Sequence, residues 1–205
     1  TIVIDINEEK INSIRNGIFP FLERGGQELL DKSKDLPISY STEYGLLKEC
    51  DVIILTIGTP IDEYHNPDLS PIYKTIDLLK PYLRDGQVLI LRSTLFPGTS
   101  ENIFVRLQQE GFKISVSFCP ERIAQGYALE EIKRLPQIIS GSDSHAIEVA
   151  RALFLRFASE VIELELAEAE LAKLYTNVWR YITFAVANQF YIIAEEKGYD
   201  FFKIR

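Results

Sequence analysis

The chain has 205 residues, of which 46% are hydrophobic and 25% charged, and its net charge is −8. This composition is typical of a globular domain, and the acidic balance without a basic cluster argues against nucleic acid or an anionic membrane as partner. Two cysteines, Cys50 and Cys119, are too few for a disulfide framework. Because no apolar run reaches the roughly 18 residues of a membrane span and no signal peptide is visible, we expect a soluble, cytoplasmic protein.

Short apolar runs rich in β-branched residues alternate with helical patterns over the first three quarters of the chain. Strands are predicted at residues 1–5, 37–41, 51–57, 87–93, 113–119, 137–141 and 160–164. Helices are predicted near residues 8–16, 43–49, 71–84, 99–110 and 143–157. Nearly unbroken apolarity in the third and fourth strands indicates burial on both faces. The pattern therefore predicts an α/β fold with a doubly wound, mostly parallel sheet of the Rossmann type.

The segment after residue 164 differs in character from what precedes it. Between Ala167 and Lys197 there is no Gly or Pro, and apolar residues recur all round the predicted helix. Such a helix is longer than the cover of one open sheet requires, which favours a connector and a dimerisation surface. We therefore expect a sheet domain at 1–164 and a helical segment at 165–205.

The first strand ends on Asp5. In dinucleotide-binding folds an acid at the end of the second strand holds the adenosine ribose, about 20 residues after a glycine-rich phosphate loop. No such loop precedes Asp5 in this sequence. The alternative is that Asp5 only shapes the turn before the next helix.

Three further strands also end in polar residues, which places those residues at the carboxyl edge where open α/β sheets bind ligands. The third strand runs into the turn Gly58–Pro60, which includes Thr59, and the fourth ends in Ser93 and Thr94. The hydroxyls of Ser93 and Thr94 would hold a substrate oxygen or a water, or merely cap the turn. Glu121 follows the fifth strand and would serve as a general base, or form an ion pair with Arg122.

His65 and Cys119 are of residue types that can bind a metal or act as a nucleophile, but the sequence pattern does not favour either role here. His65 lies in an acid-rich loop, but one His without regular ligand spacing indicates a solvated loop, so no metal site is predicted. Cys119 lies on its strand, where a cysteine is normally an inert core residue and not a nucleophile.

The long helix carries a polar stripe. Lys173, Asn177 and Arg180 follow an i, i+4, i+7 spacing and therefore share one helix face. Polar groups on an otherwise apolar helix are costly unless they are paired or face a ligand. The stripe is either part of a site or a set of salt bridges, with Glu170 as the candidate partner.

With these segments in this order, the chain resembles the UDP-glucose/GDP-mannose dehydrogenase family, the nucleotide-sugar 6-dehydrogenases. The matching segments are VIDIN (3–7), GTP (58–60), NPDLS (66–70), STLFPGT (93–99), PERIAQG (120–126) and AELAKLYTN (169–177). By this resemblance the chain is cut just before the family's second strand, so its first strand and glycine loop are absent. It also stops before the C-terminal UDP-binding domain, which supplies a nucleophilic cysteine that neither Cys50 nor Cys119 matches.

The resemblance implies an oxidation of a sugar 6-hydroxyl to a carboxylate by two NAD in succession, for polysaccharide precursor synthesis. Residues 1–164 would then be the NAD-binding domain, with Asp5 on the adenosine ribose and Thr59 and Thr94 against the dinucleotide. As given, the chain is expected to be an inactive part of the enzyme.

The resemblance also assigns catalytic and substrate roles. Thr94 and Glu121 would hold and activate water, Lys173 would stabilise oxyanion charge, and Asn177 would position the same group. Lys173, Asn177 and Glu121 would also contact the substrate, together with Arg122 and Arg180. Some family members carry a second Glu where this chain has Gln125, so no base is assigned there.

The substrate is implied less directly. Arg180 and its segment WRYITFAVAN (179–188) look closer to the branch that acts on UDP-N-acetylglucosamine or UDP-N-acetylmannosamine than to the UDP-glucose branch. UDP-glucose is the first alternative. A one-step hydroxyacid dehydrogenase relative, which has no evident use for PERIAQG, and a non-catalytic nucleotide-binding module are the others. A homodimer through the long helix is expected.

Overall fold

The computed structural model describes residues 1–60, 63, 68–124 and 126–205. His65, the start of NPDLS at Asn66 and Pro67, and Gln125 lie outside the described residues, so their predicted roles stay predictions. The described residues form an α/β domain followed by one long helix, which confirms the predicted fold class.

The strands are β1 (Ile2–Ile4), β2 (Ser39–Ser41), β3 (Val52–Leu55), β4 (Val88–Leu91), β5 (Ser115–Phe118), β6 (Gln137–Ile139) and β7 (Val161–Glu163). The α-helices are α1 (Glu8–Arg15), α2 (Gly26–Lys32), α3 (Ser70–Leu79), α4 (Thr99–Gln109), α5 (Ala128–Arg134), α6 (Ser144–Phe154), α7 (Leu166–Glu196) and α8 (Phe201–Ile204). Short 3₁₀ helices cover Tyr44–Glu49 and Lys80–Tyr82. Every predicted strand is present, each shorter than predicted.

The predicted helices are also present, although 43–49 is a 3₁₀ helix and 71–84 ends earlier as α3. Three short helices, α2, α5 and α8, were not predicted. Helices α2 and α5 have seven residues each, and neither α5 nor α8 has a buried residue. Helices this short, without a stripe of buried residues, show no detectable hydrophobic periodicity in the sequence.

All strand pairs are parallel, in the groups β2-β1, β3-β4-β5 and β6-β7. An isolated antiparallel bridge between Ser117 and Gly141 joins β5 to the segment after β6. In a doubly wound sheet of order 3-2-1-4-5-6, the second and fourth strands flank the first. The order found here fits that arrangement, with β1 and β3 in the two flanking places.

Strand β4 lies at the centre of the core. Its four residues are at most 1% exposed, because α3 and α4 cover one face of the sheet and α6 covers the other. Each fully buried Leu, Ile or Val contributes about 1.5–3 kcal/mol. This packing fixes the carboxyl edge of the sheet, where the chain leaves β1, β3, β4 and β5.

Helix α7 extends well beyond the domain that it caps. A capping box between Glu165 and Glu168 starts it, and it continues for 31 residues. Its first turns pack on the core through Ala169 and Ala172, whereas many apolar side chains further along are exposed. In the part of the chain that is described, no helix is long and apolar enough to cross a membrane.

Candidate active site

Asp5 directly follows β1 and takes part in a tight turn. Its main-chain N–H donates to Ser41 at 3.2 Å, and its Oδ1 accepts from the main-chain N–H of Asn7 at 2.8 Å. Asn7 in turn caps α1 by accepting from Lys10 at 3.0 Å. The turn geometry that was the alternative for Asp5 is therefore present. It leaves the other carboxylate oxygen available to a ligand.

Asp5 also lies at the rim of a cavity of about 520 Å³ that separates β1 from β3. Residues of both strands line this cavity, and Leu47 and Leu79 also contribute to its apolar lining. In a doubly wound sheet, the first strand lies between the second and the fourth strands. The cavity lies at the corresponding place, between β1 and β3.

The two strands also present backbone groups to this cavity. In a parallel pair, alternate residues turn their N–H and C=O groups toward the neighbouring strand. Thr1 and Asp5 bond to β2, while Asp51 and Leu55 bond to β4. The intervening residues therefore turn their backbone groups the other way, toward the cavity; these are Ile2, Ile4, Val52 and Ile54.

The turns after β3 and β4 are tied together. The hydroxyl of Ser93 donates to the main-chain carbonyl of Ile57 at 2.5 Å, which holds the segment that contains Thr59 beside the segment that contains Thr94. Both threonines are half-buried. Neither hydroxyl makes a hydrogen bond to another described residue.

Glu121 lies three residues after the end of β5 and is held from several sides. One oxygen forms an ion pair with Arg92, and the other accepts from the main-chain N–H groups of Arg122 at 2.7 Å and Ile123 at 3.0 Å. A carboxylate has about four lone-pair sites. Three are used, so one remains for a water or a substrate hydroxyl.

Arg92 was not predicted as a site residue. Its side chain is only 8% exposed, packs over the ring of Phe154 at 4.9 Å and pairs with Glu121. Its Nη1 is buried without a hydrogen-bond partner among the described residues. A single charged residue at the end of the apolar run VLILR is the sequence signal that could have identified Arg92, because a buried cation requires a partner.

The ion pair between Glu121 and Arg122, which was the alternative to a base role for Glu121, is not present among the described residues. The Arg122 side chain instead donates to the main-chain carbonyl of Pro136, because the carboxylate already has Arg92 on one oxygen. Arg122 touches Glu121 only through its main-chain N–H. Burial lowers the pKa of Arg122, and Glu121 opposes this shift.

Two members of the polar stripe on α7 reach this cluster. The ammonium of Lys173 donates to the main-chain carbonyl of Glu121, and Arg180 donates to that of Arg122 at 2.9 Å. Asn177, between them in sequence, is exposed and contacts no other described residue by hydrogen bond. The structure therefore brings Glu121, Arg122, Lys173 and Arg180 together and leaves Asn177 at the surface.

Glu170, the candidate partner in the salt-bridge alternative for this stripe, bonds elsewhere. Glu170 is fully buried at 0% exposure, and its carboxylate accepts from Gly98 and Ser100 at the start of α4. The position of Glu170 along α7 suggested a cation as its partner. The surface that it faces instead presents main-chain N–H groups at the start of α4, which have no acceptor within that helix.

Burial is the largest effect on Lys173 and lowers its pKa below the ordinary value of 10.5. The carboxylate of Glu121 opposes this shift, whereas the guanidinium groups of Arg180, Arg92 and Arg122 reinforce it. Four cations, Arg92, Arg122, Lys173 and Arg180, thus lie in one cluster with the carboxylate of Glu121, in a chain of net charge −8. Such a cluster suits an anionic ligand and stabilises negative charge that develops on an oxygen.

Cys119 is unsuited to nucleophilic chemistry. It is fully buried, and burial raises the pKa of its thiol to about 11. A thiol with so high a pKa is not a thiolate at neutral pH. Among the described residues, no group of three His, Cys, Asp or Glu side chains could hold a metal ion.

The parallel sheet and the polar residues at its carboxyl edge define the class as an α/β nucleotide-binding domain of the Rossmann type. Residues 1–158 match the model of the UDP-glucose/GDP-mannose dehydrogenase family, NAD binding domain. The chain belongs to this family, as the motifs had indicated.

Named relatives agree with this assignment. The chain is 34% identical over 202 residues to UDP-N-acetyl-D-mannosamine dehydrogenase of Methanocaldococcus jannaschii, covering 95% of this chain and 46% of that protein. It is 30% identical to UDP-N-acetyl-D-glucosamine 6-dehydrogenase of Pseudomonas aeruginosa, covering 96% and 48%. The structure of UDP-D-ManNAc dehydrogenase from Pyrococcus horikoshii superposes with a TM-score of 0.87 at 27% identity, covering 99% of this chain and 50% of that one. The chain spans about half the length of these relatives.

The lowered pKa of Lys173 predicts how stability depends on pH. Between its folded-state pKa and 10.5, the unfolded chain binds more protons than the folded chain, so stability rises with pH in that window. Relative to Lys173→Met, the wild type should therefore gain unfolding free energy as pH rises from 7 toward 10. Denaturant titrations at several pH values measure the difference.

The matched control for this prediction is Lys113→Met, because the Lys113 side chain is 81% exposed. Its difference from wild type gives the reference slope over the same pH range. A difference between wild type and Lys173→Met with the same slope would contradict the predicted shift.

Proposed function

We propose that the protein is an NAD-dependent UDP-sugar 6-dehydrogenase, to which this chain contributes the NAD-binding domain (1–164) and a central helix (165–205). The observation that carries the proposal is the meeting of Lys173 from α7 and Arg92, the residue after β4, at Glu121. It combines a fixed carboxylate with an excess of cations at the edge where α/β sheets bind ligands. Family membership supplies the reaction class.

The reaction converts a primary alcohol into a carboxylate. The sugar loses two hydrides and gains the oxygen of one water, while three protons are released. NAD accepts one hydride in each of the two steps. Asp5, whose second carboxylate oxygen is available, suits the ribose hydroxyls of NAD and disfavours the phosphate of NADP.

Three side chains of the cluster have roles that follow from their contacts. The ammonium of Lys173 stabilises the alkoxide and the later oxyanion, as a preorganised cation in a partly desolvated site does. Glu121 holds water or the 6-hydroxyl on its remaining lone pair, next to the Thr94 segment. Arg180 uses one of its five N–H donors on Arg122 and keeps the others for substrate oxygens.

Neither cysteine of this chain suits the nucleophile of a two-step oxidation. Since the chain spans about half the length of its relatives, we assign the nucleophile and the UDP-binding domain to sequence outside it. Asn177 keeps its proposed role in substrate binding, in which case it is completed by groups beyond this chain.

UDP-N-acetylmannosamine and UDP-N-acetylglucosamine are the favoured substrates. The relatives that support this choice are named for these two sugars and cover at least 95% of this chain. UDP-glucose is the second candidate, because the family whose model matches residues 1–158 is named for UDP-glucose and GDP-mannose dehydrogenases.

The first test counts NADH per sugar in the full-length protein. We expect two NADH for each UDP-N-acetylhexosamine consumed, because a four-electron oxidation needs two hydride transfers. UDP-glucose is the matched comparison and should turn over more slowly. One NADH per sugar would indicate a one-step dehydrogenase, and none with any of the three sugars would contradict the proposal.

We further propose that the cavity between β1 and β3 receives a parallel strand that leads into the glycine-rich phosphate loop. Both flanking strands turn N–H and C=O groups toward the cavity, and their side chains are apolar. A strand in this place would complete both edges, and its following turn would reach the cavity rim beside Asp5. This arrangement supplies the pyrophosphate site that these residues do not themselves provide.

Hydrogen exchange tests this arrangement in the full-length protein. The main-chain N–H groups of Ile4 and Ile54 should exchange at least about 100-fold more slowly than open strand edges, because they would be hydrogen-bonded inside a sheet. Val161 and Glu163 are the control. Strand β7 bonds to β6 through the residues that alternate with these two, so the N–H groups of Val161 and Glu163 point away from β6. Equal, rapid exchange at all four positions would show that no strand occupies the cavity.

We propose that the protein forms a homodimer through α7. Large apolar side chains that are at least 59% exposed follow one another along this helix: Tyr175, Trp179, Tyr181, Phe184 and Phe190. Exposed apolar surfaces of this extent mark interaction sites. Two free cysteines favour a reducing compartment, so we place this dimer in the cytoplasm.

Phe190→Asp tests the dimer, because Phe190 lies ten residues after Arg180 and leaves the cation cluster intact. We expect a dimeric wild type and a monomeric variant in sedimentation velocity, since a carboxylate would be buried unpaired in the interface. Phe21→Asp is the matched control, because Phe21 is 60% exposed and Phe190 is 59% exposed. A monomeric wild type would contradict the proposal.

A further inference from the structure

Glu170 lies on α7, one helical turn before Lys173, and is fully buried at 0% exposure. Its Oε2 accepts from the main-chain N–H of Gly98 at 2.6 Å. Its Oε1 accepts from the main-chain N–H of Ser100 at 2.8 Å and from the Ser100 hydroxyl at 2.7 Å. A buried carboxylate is tolerated only with such compensation.

These contacts supply α4 with a cap that its own sequence lacks. The N-cap residue of α4 is Gly98, which has φ of 88° and no side chain to accept from the first turn. Glu170 accepts these hydrogen bonds from another helix, and its negative charge is favourable at the positive end of the α4 dipole. The segment that carries Thr94 is thereby fixed at both ends, by β4 and by Glu170.

The same helix face holds Lys173. Residues three apart in a helix are neighbours, so the grip of Glu170 on α4 sets where Lys173 can reach. Lys173 enters a place where burial and three guanidinium groups oppose its charge. Its contact with the carbonyl of Glu121 is a single hydrogen bond, and an anchor one turn away holds it there.

We propose that Glu170 is a positioning residue: by capping α4 from α7, it fixes the depth at which Lys173 enters the site and the position of the Thr94 segment. The catalytic consequence rests on the proposed function, because it depends on the role of Lys173. The positional consequence does not. The two can therefore be measured separately.

Glu170→Gln in the full-length protein is the test. The variant keeps the size of the side chain, but its amide NH₂ cannot accept from Gly98, which leaves a donor unpaired. The readout is the pH dependence of Lys173 acetylation by trace acetic anhydride, followed by mass spectrometry. We expect the midpoint to rise toward the value of an exposed lysine, because Lys173 relaxes toward solvent.

Glu168→Gln is the matched control, since Glu168 lies on the same helix, is exposed and accepts only from Glu165 in the capping box. Gln serves equally in a capping box, so the Lys173 midpoint should not move. Ser100→Ala removes one of the three hydrogen bonds and should move the midpoint in the same direction by less. An unchanged midpoint in folded Glu170→Gln, or in Ser100→Ala if Glu170→Gln does not fold, would overturn the proposal.

Kinetics separate positioning from general loss of structure. In the NADH assay Glu170→Gln should lower kcat by about 10- to 100-fold and change KM for the UDP-sugar by less than about threefold. A raised KM with unchanged kcat would overturn the catalytic consequence. If the wild type turns over no UDP-sugar, the proposed function fails, while the acetylation midpoint still decides whether Glu170 positions Lys173.

Discussion

The ion pair between Arg92 and Glu121 is the contact on which the arrangement of the carboxyl edge depends. Parallel pairing places Leu91 beside Phe118, so the residues that follow β4 and β5 emerge side by side. Arg92 is buried against Phe154, and Glu121 is its only carboxylate partner among the described residues. Breaking a fully buried pair costs about 3–5 kcal/mol; here the cost is lower, because Glu121 is 27% exposed. With its carboxylate fixed, Glu121 presents its main-chain carbonyl to α7.

This fixed carboxylate does not neutralise the cations around it. Arg92, Arg122, Lys173 and Arg180 outnumber it, and the pKa of Lys173 is lowered by burial and by its cationic neighbours. Crowded like charges are costly until an anion joins them. An anionic ligand would relieve the repulsion and favour the charged form of Lys173, so the substrate itself would complete the electrostatics. The local field thus opposes the acidic balance of the whole chain, which composition alone could not indicate.

The sequence predicted the strands and the long helix because their signals are local: β-branched runs, and a stretch without Gly or Pro. Strand ends and helix spacing placed Glu121 at the sheet edge and Lys173 and Arg180 on one helix face, and the family resemblance implied that the three belong to one site. Arg92 was missed because a single charge at the end of an apolar strand has no local partner. The partner of Glu170 was missed for a related reason, since sequence lists the cations near it but not the N–H groups of α4 that face it. Long-range partners are decided by packing, and packing is absent from a linear pattern.

Helix α7 joins two properties that would otherwise be independent. Its polar face grips α4 and enters the cation cluster, while aromatic side chains further along its length are exposed. A helix behaves as a rigid rod over this distance, so whatever covers the aromatic side chains also restrains rotation of the turns that carry Glu170 and Lys173. Rotation by one residue would move Lys173 about 100° around the axis and out of the site. The proposed dimer contact and the geometry of the site are therefore constraints on the same element, and α7 can satisfy both only in one orientation.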